Sequence, residues 1–166
     1  HTTWEEVVRR RILGPLGMSR TNTSTAVSQA DPDHARPYIY RKGELKEMPF
    51  YEADERTATG PAGTINSCVA DMARWLAVQL SGQWEGRPFV SPQNLAEMHK
   101  PHMFIDEPQA RQRLGFEFFS YGLGWSLYMY KGQLVIEHSG GLDGFSSRLA
   151  LLPRHNLGVV VLSRGG

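Results

Sequence analysis

One cysteine, Cys68, is all that the 166 residues contain. An internal disulfide and any cysteine-based metal cluster are therefore excluded. The compartment stays open, because secreted proteins also do without disulfides. Charge of one sign is missing as well: 18 basic and 17 acidic side chains leave a net charge of +1. Apart from Arg9-Arg10-Arg11 on a helical face, best taken as solvated, no Lys/Arg block stands out, so nucleic acid is not indicated as a partner. No apolar run is long enough to cross a membrane, and no signal peptide is recognisable. Histidines do not gather into a metal set. His99 and His102 are three apart, but Pro101 breaks the helix that would align them, and no third histidine completes a zinc site nearby. They are expected to be surface residues beside a loop, and His34 and His155, in polar turns, to be solvated.

What is present is a globular chain, with 40% hydrophobic and 21% charged residues, enough for a core. T-T-W-E-E-V-V-R-R-R-I-L reads as an amphipathic helix. Thr2 or Thr3 caps it, Glu5 and Glu6 sit in its first turn, and Gly14-Pro15 ends it. Residues 19–36 are polar and read as surface loop. A hairpin around Lys42-Gly43 is expected within A-R-P-Y-I-Y-R-K-G-E-L-K-E-M. In G-P-A-G-T-I-N-S-C-V-A-D-M-A-R-W-L-A-V-Q-L-S-G, Asn66 or Ser67 caps a helix whose apolar face is Val69, Met72, Ala73, Leu76 and Leu80, and Gly82 stops it. Ser91-Pro92 opens a further short helix that ends before Pro101. Residues 102–120 show no clear periodicity.

From Tyr121 the pattern turns to strands. G-W-S-L-Y-M-Y, Q-L-V-I-E-H, F-S-S-R-L-A-L-L and L-G-V-V-V-L are separated by Lys131-Gly132, by a loop at 139–144 and by Pro153-Arg154-His155-Asn156. Short connections predict an antiparallel meander. Helices first and strands last predict an α/β chain of the α+β type, an antiparallel sheet flanked by helices. The helix-like opening and the end just after a strand suggest a segment of something larger.

The chemistry concentrates in I-E-H-S-G-G-L-D-G-F. A dyad of His138 and Ser139 is unfavourable, because successive strand side chains point to opposite faces and Glu137 stands where a nucleophile elbow needs glycine. Gly140, Gly141 and Gly144 allow a ligand to lie close to the strand edge, with backbone N–H groups to stabilise an oxyanion. A Gly-rich hairpin turn accounts for the same residues, and the residues alone leave both open.

The chain as a whole resembles the penicillin-recognising serine hydrolases: class C β-lactamases, D-alanyl-D-alanine carboxypeptidases, D-aminopeptidases and related esterases. W-E-E-V-V-R-R-R-I-L-G-P-L-G-M, G-P-A-G-T-I-N-S-C-V-A-D-M-A-R-W-L, Y-G-L-G-W and H-S-G-G-L-D-G-F-S-S-R-L-A-L-L-P-R-H-N-L-G-V-V-V-L follow one another in the family's order. The resemblance implies a β-lactamase/transpeptidase-like fold, present as the carboxy-terminal part of one domain. Residues 1–120 would form its helical and loop region, and 121–166 its strands. It places the third active-site motif, His-x-Gly, on His138, Ser139 and Gly140. It further implies that His138 faces the cleft, assisting proton transfer or holding a substrate carboxylate or carbonyl. Ser139 would add a hydrogen bond, Gly141 N–H would form half of the oxyanion hole, and Ala62 would line the pocket. No cofactor or metal is implied. The implied partners are a small-molecule or peptide substrate and the amino-terminal part of the same domain, and the implied location is periplasmic or secreted.

The departures are equally specific. No serine has a lysine three residues later, so the family's S-x-x-K nucleophile motif is missing. The tyrosines are followed two positions on by Tyr40, Lys42, Ala53, Leu123, Tyr130 and Gly132, so Y-x-N or Y-x-S is missing too. Alone, the chain is expected to be unable to form an acyl-enzyme. A relative that has lost catalysis and only binds peptides or cell-wall fragments is the alternative. Histidine at the motif's first position implies esterase- or peptidase-like chemistry before efficient β-lactam hydrolysis.

Overall fold

A computed structural model describes residues 2–50, 60–106, 108, 115–142 and 144–165. The chain divides into two compact units: residues 1–74, 140–147 and 161–166, and residues 75–139 and 148–160.

In the first unit, helix α1 (Trp4–Val8) starts where the Thr3 hydroxyl accepts from Glu6 N–H, satisfying a donor that the first helical turn leaves unpaired. The helix continues as a wider π-helical turn, Arg9–Leu13. Leu13, Leu16 and Met18 are buried. Helix α2 (Thr25–Ala30) is capped by Ser24. Strands β1 (Tyr38–Arg41) and β2 (Glu44–Glu47) form the expected hairpin. Lys42 and Gly43 turn it with φ of 51° and 84°, the left-handed pair that matches strand twist. Helix α3 (Gly60–Gly63) is a single short turn.

Helix α4 (Val69–Ser81) stops at Gly82, φ 70°, as its sequence predicts. Its buried face differs from the expected one. Val69 is 54% exposed and Ala73 is exposed, whereas Asp71, Leu76, Val78 and Gln79 are buried. The reason is polar: Asp71 Oδ2 accepts from Thr21 Oγ1 at 2.8 Å and from Arg20 N–H at 2.9 Å. Buried carboxylates are held by such bonds, and apolar spacing does not reveal them.

In the second unit, hairpin β3 (Gln83–Trp84) and β4 (Arg87–Pro88) precede α5 (Pro92–Met98), which Ser91 caps. Two strands lie where the sequence shows no periodicity, β5 (Met103–Phe104) and β6 (Phe116–Tyr121). A register shift between Phe116 and Phe119 breaks the alternation in β6 and hides it from a period-2 search. The sheet continues with β7 (Ser126–Tyr130), β8 (Gln133–Leu142), β9 (Phe145–Leu152) and β10 (Leu157–Arg164), of which residues 140–142, 145–147 and 161–164 count with the first unit. Its order is β10-β9-β8-β7-β6-β5, the expected meander with two more strands than the four runs suggest. Residues 139–142 of the expected loop are strand instead: β8 runs on to Leu142, and Gly144 lies in a turn.

Leu76, Trp125, Leu127, Ile136 and Leu151 make the core of this unit. Burying each contributes about 1.5–3 kcal/mol. His99 belongs beside this core rather than on the surface. Its Nε2 bonds Gln79 Oε1 at 2.9 Å and its ring meets Trp125 edge-on at 5.6 Å. Burial lowers its pKa from the ordinary value. His102 bonds Glu97 O at the end of α5, and His155 bonds Gln133. His34, in the first unit, bonds Asp31 O.

Candidate active site

Strand β8 changes character along its length. Residues Gln133 to Glu137 pair with β7 in register, ending at Ser126↔Glu137. Val135 and Ile136 are consecutive and both buried, at 7% and 2% exposure, so both faces of the strand are covered here. Beyond Glu137 the register with β7 ends, and His138, Ser139, Gly140, Gly141 and Leu142 are all exposed. A strand that outruns its neighbour offers backbone N–H and C=O groups to an incoming chain.

Alternation puts His138 and Gly140 on one face and Ser139 and Gly141 on the other. His138 Nε2 and the Tyr121 hydroxyl are hydrogen-bonded at 2.9 Å, with the rings edge to face at 6.0 Å. Ser139 has no such bond to His138, in keeping with the geometry that argues against a dyad. The sequence does not single out Tyr121. Its one signal is a place in Y-G-L-G-W, and only the pairing Tyr121↔Ser126↔Glu137 brings it to the start of the open segment.

The glycines separate by environment. An added Cβ on Gly141 would meet nothing within 4 Å, so the space above it is open. On Gly140 it would lie 2.5 Å from Ser147 Oγ on β9. On Gly144, φ 80°, it would strike Pro37 and the Tyr38 backbone at 2.5–2.8 Å. Gly144 O also accepts from Tyr38 N–H and Gly165 N–H. Gly144 thus makes a turn and a close contact, Gly140 admits a neighbouring strand, and Gly141 alone of the three faces free space. Ala62 stands on another element, exposed in α3.

On the opposite face from His138, Glu137 joins Tyr128 and Arg148. Arg148 Nε lies 3.9 Å from Glu137 Oε2. Burial, with the neighbouring Glu137 charge, pushes the Tyr128 hydroxyl up to about 12. It is a neutral anchor for Glu137. Among the described residues no cluster of His, Cys, Asp and Glu is arranged to hold a metal ion, and no helix is long and apolar enough to cross a membrane.

The mixed α/β architecture, an antiparallel sheet with helices, is similar to that of penicillin-binding-protein-like structures. The pattern of the beta-lactamase family matches residues 1–166, and the chain belongs to that family. It is 29% identical over 170 residues to "Unguisins hydrolase ungD" of Aspergillus violaceofuscus, covering 93% of this chain and 29% of that protein. It is 26% identical to the human "Putative beta-lactamase-like 1", covering 98% of this chain and 29% of that one. Among solved structures, the octameric penicillin-binding protein homologue from Pyrococcus abyssi superposes with a TM-score of 0.81 at 27% identity, over 98% of this chain and 34% of that chain. The D-amino acid amidase from Ochrobactrum anthropi has the same fold, with a TM-score of 0.74 at 19% identity over 99% and 44%. The chain thus spans 29% of the length of each of these two curated relatives.

Proposed function

We propose that the chain supplies one wall of a hydrolase site that works through an acyl-enzyme on amide or ester substrates. The observation that carries this is the outer half of β8, which is exposed, unpaired with β7 and open above Gly141. A substrate laid along it has the Gly141 N–H available to stabilise charge developing on the scissile carbonyl oxygen. His138 stands at the strand's first free position, where it holds or protonates a substrate oxygen. Ser139 adds a hydrogen bond, and Gly140 leaves room for the Ser147 side chain of the neighbouring strand β9. Peptide and ester substrates fit better than β-lactams because histidine, not lysine, opens the motif.

The nucleophile and its activating base belong to sequence upstream of His1. The chain by itself is then inert: incubated with a p-nitrophenyl ester, it shows no burst and no acyl-serine by mass spectrometry. A trapped acyl adduct on any of its serines would sink this assignment. In the full-length protein, His138→Ala lowers kcat/KM by about 10²-fold or more. An effect within about twofold removes His138 from the mechanism. The missing S-x-x-K supports one other reading, a peptide-binding relative without catalysis. Upstream sequence decides between them: S-x-x-K with Y-x-N or Y-x-S means enzyme.

A further inference from the structure

His138 has one bonded ring nitrogen and one free. Nε2 is engaged by the Tyr121 hydroxyl at 2.9 Å, and among the described residues Nδ1 has no hydrogen-bond partner. The proton on a neutral imidazole sits on one nitrogen only, and the partner of the other nitrogen selects which. A phenol donates strongly and accepts weakly, whereas an unprotonated imidazole nitrogen is a good acceptor.

Tyr121 is placed for this by its backbone. Its carbonyl accepts from His102 N–H at 2.9 Å, and Gly122 N–H donates to Trp125 O at 2.7 Å. At Gly122 an added Cβ would lie 2.6 Å from Met98 O and 2.8 Å from Lys100 O. The chain therefore passes so close to the end of α5 that no side chain fits after Tyr121, and the Tyr121 backbone is fixed opposite Ser126, the first residue of β7. A loosely attached surface tyrosine needs no such close approach.

We propose that Tyr121 is a positioning residue for His138. Its O–H donates to Nε2, holds the proton of the neutral ring on Nδ1, and so makes His138 a hydrogen-bond donor to a substrate carboxylate or carbonyl oxygen. His138 then binds and orients and does not accept the nucleophile's proton. This rests on His138 being a site residue and chooses between the two roles open to it.

The test is ¹⁵N NMR of the histidine-labelled chain at about pH 8, where an ordinary imidazole is neutral. The expected result is protonation of His138 on Nδ1. In Tyr121→Phe, which keeps the ring and removes the hydroxyl, the tautomer ratio shifts about fivefold towards Nε2–H, the worth of one net hydrogen bond. Unchanged dispersion of the remaining amide signals shows that the variant is folded. A wild-type proton on Nε2 overturns the proposal. So does a ratio that moves less than about twofold in the folded variant.

Kinetics of the full-length protein supply the second arm. Tyr121→Phe raises KM and leaves kcat nearly unchanged, as expected for a donor acting alike in ground and transition states. A fall in kcat alone, at constant KM, assigns His138 to proton transfer and overturns the proposal. The two levels fail separately. If His138→Ala has no effect, the site assignment falls whatever the tautomer. If His138→Ala is severe but the proton is on Nε2, only the role of Tyr121 falls.

Discussion

The two halves of β8 are built from one continuous strand and do opposite things. From Gln133 to Glu137 the strand is Q-L-V-I-E, in register with β7, with Val135 and Ile136 buried back to back. From His138 to Leu142 it is H-S-G-G-L, exposed, with no β7 partner. The difference is made by where the neighbour ends, not by the strand itself. A strand covered on both faces contributes stability through apolar burial. The same strand carried past its neighbour contributes backbone groups and a few polar side chains to whatever lies alongside it.

The largest expected contrast comes from truncating one residue in each half. Ile136→Ala deletes a core side chain that is 2% exposed, at a cost of about 2–5 kcal/mol. Chemical denaturation should show the midpoint falling steeply. His138→Ala, two residues along on the same face, removes one exposed hydrogen bond and should cost about 1 kcal/mol or less. On the proposed function, its effect belongs in the full-length protein's rate, at about 10²-fold. If His138→Ala unfolds the chain as readily as Ile136→Ala, the division of the strand is wrong.

A finer contrast lies between two glycines of the same motif. Gly144→Ala puts a side chain at φ 80° against Pro37 and Tyr38, with a strain cost of about 1–3 kcal/mol and a lower melting temperature. Gly141→Ala meets open space, so stability should stay within about 0.5 kcal/mol. On the proposed function, the new methyl group in the full-length protein would occupy the place where substrate approaches the backbone. A displacement of about 1 Å there costs about 10²-fold in rate. Equal melting temperatures for the two variants would show that the motif's glycines are not divided between turn and site.

Much of this is legible in residues. Lys42-Gly43 and Lys131-Gly132 mark hairpin turns because the left-handed pair needs them, and both take positive φ. Ser91-Pro92 and Gly82 bound helices through local hydrogen bonding and local conformational freedom. Information that depends on distant partners is not legible. Asp71 turns α4 because Thr21 and the Arg20 N–H bind it across about fifty positions of sequence, and a buried carboxylate needs such partners. β6 escapes notice because its register shifts between Phe116 and Phe119. Tyr121 enters the sequence reading only as the start of the strand-rich part and through the resemblance of Y-G-L-G-W. Its nearness to His138 follows from strand register, which no spacing in the sequence encodes. The open end of β8 reads as a loop in sequence because glycine has low strand propensity, yet the strand continues through both glycines to Leu142.

The smallest expected effect concerns His99, and it sharpens the contrast between buried and exposed parts of this unit. His99 is half-buried against Trp125 and Gln79, both uncharged, while Glu97, Lys100 and His102 beside it in sequence pair among themselves. Burial lowers its pKa in the folded chain below the ordinary 6.5. A histidine with a depressed folded pKa binds fewer protons folded than unfolded, so stability rises with pH across that interval. The contribution is fully present above 6.5 and is lost as pH falls below it towards the folded value. Melting temperatures should therefore drop between about pH 7.5 and pH 5 in the wild type. His99→Gln has no titrating group there and should drop less over the same range. A slope that survives undiminished in His99→Gln would remove His99 as its source.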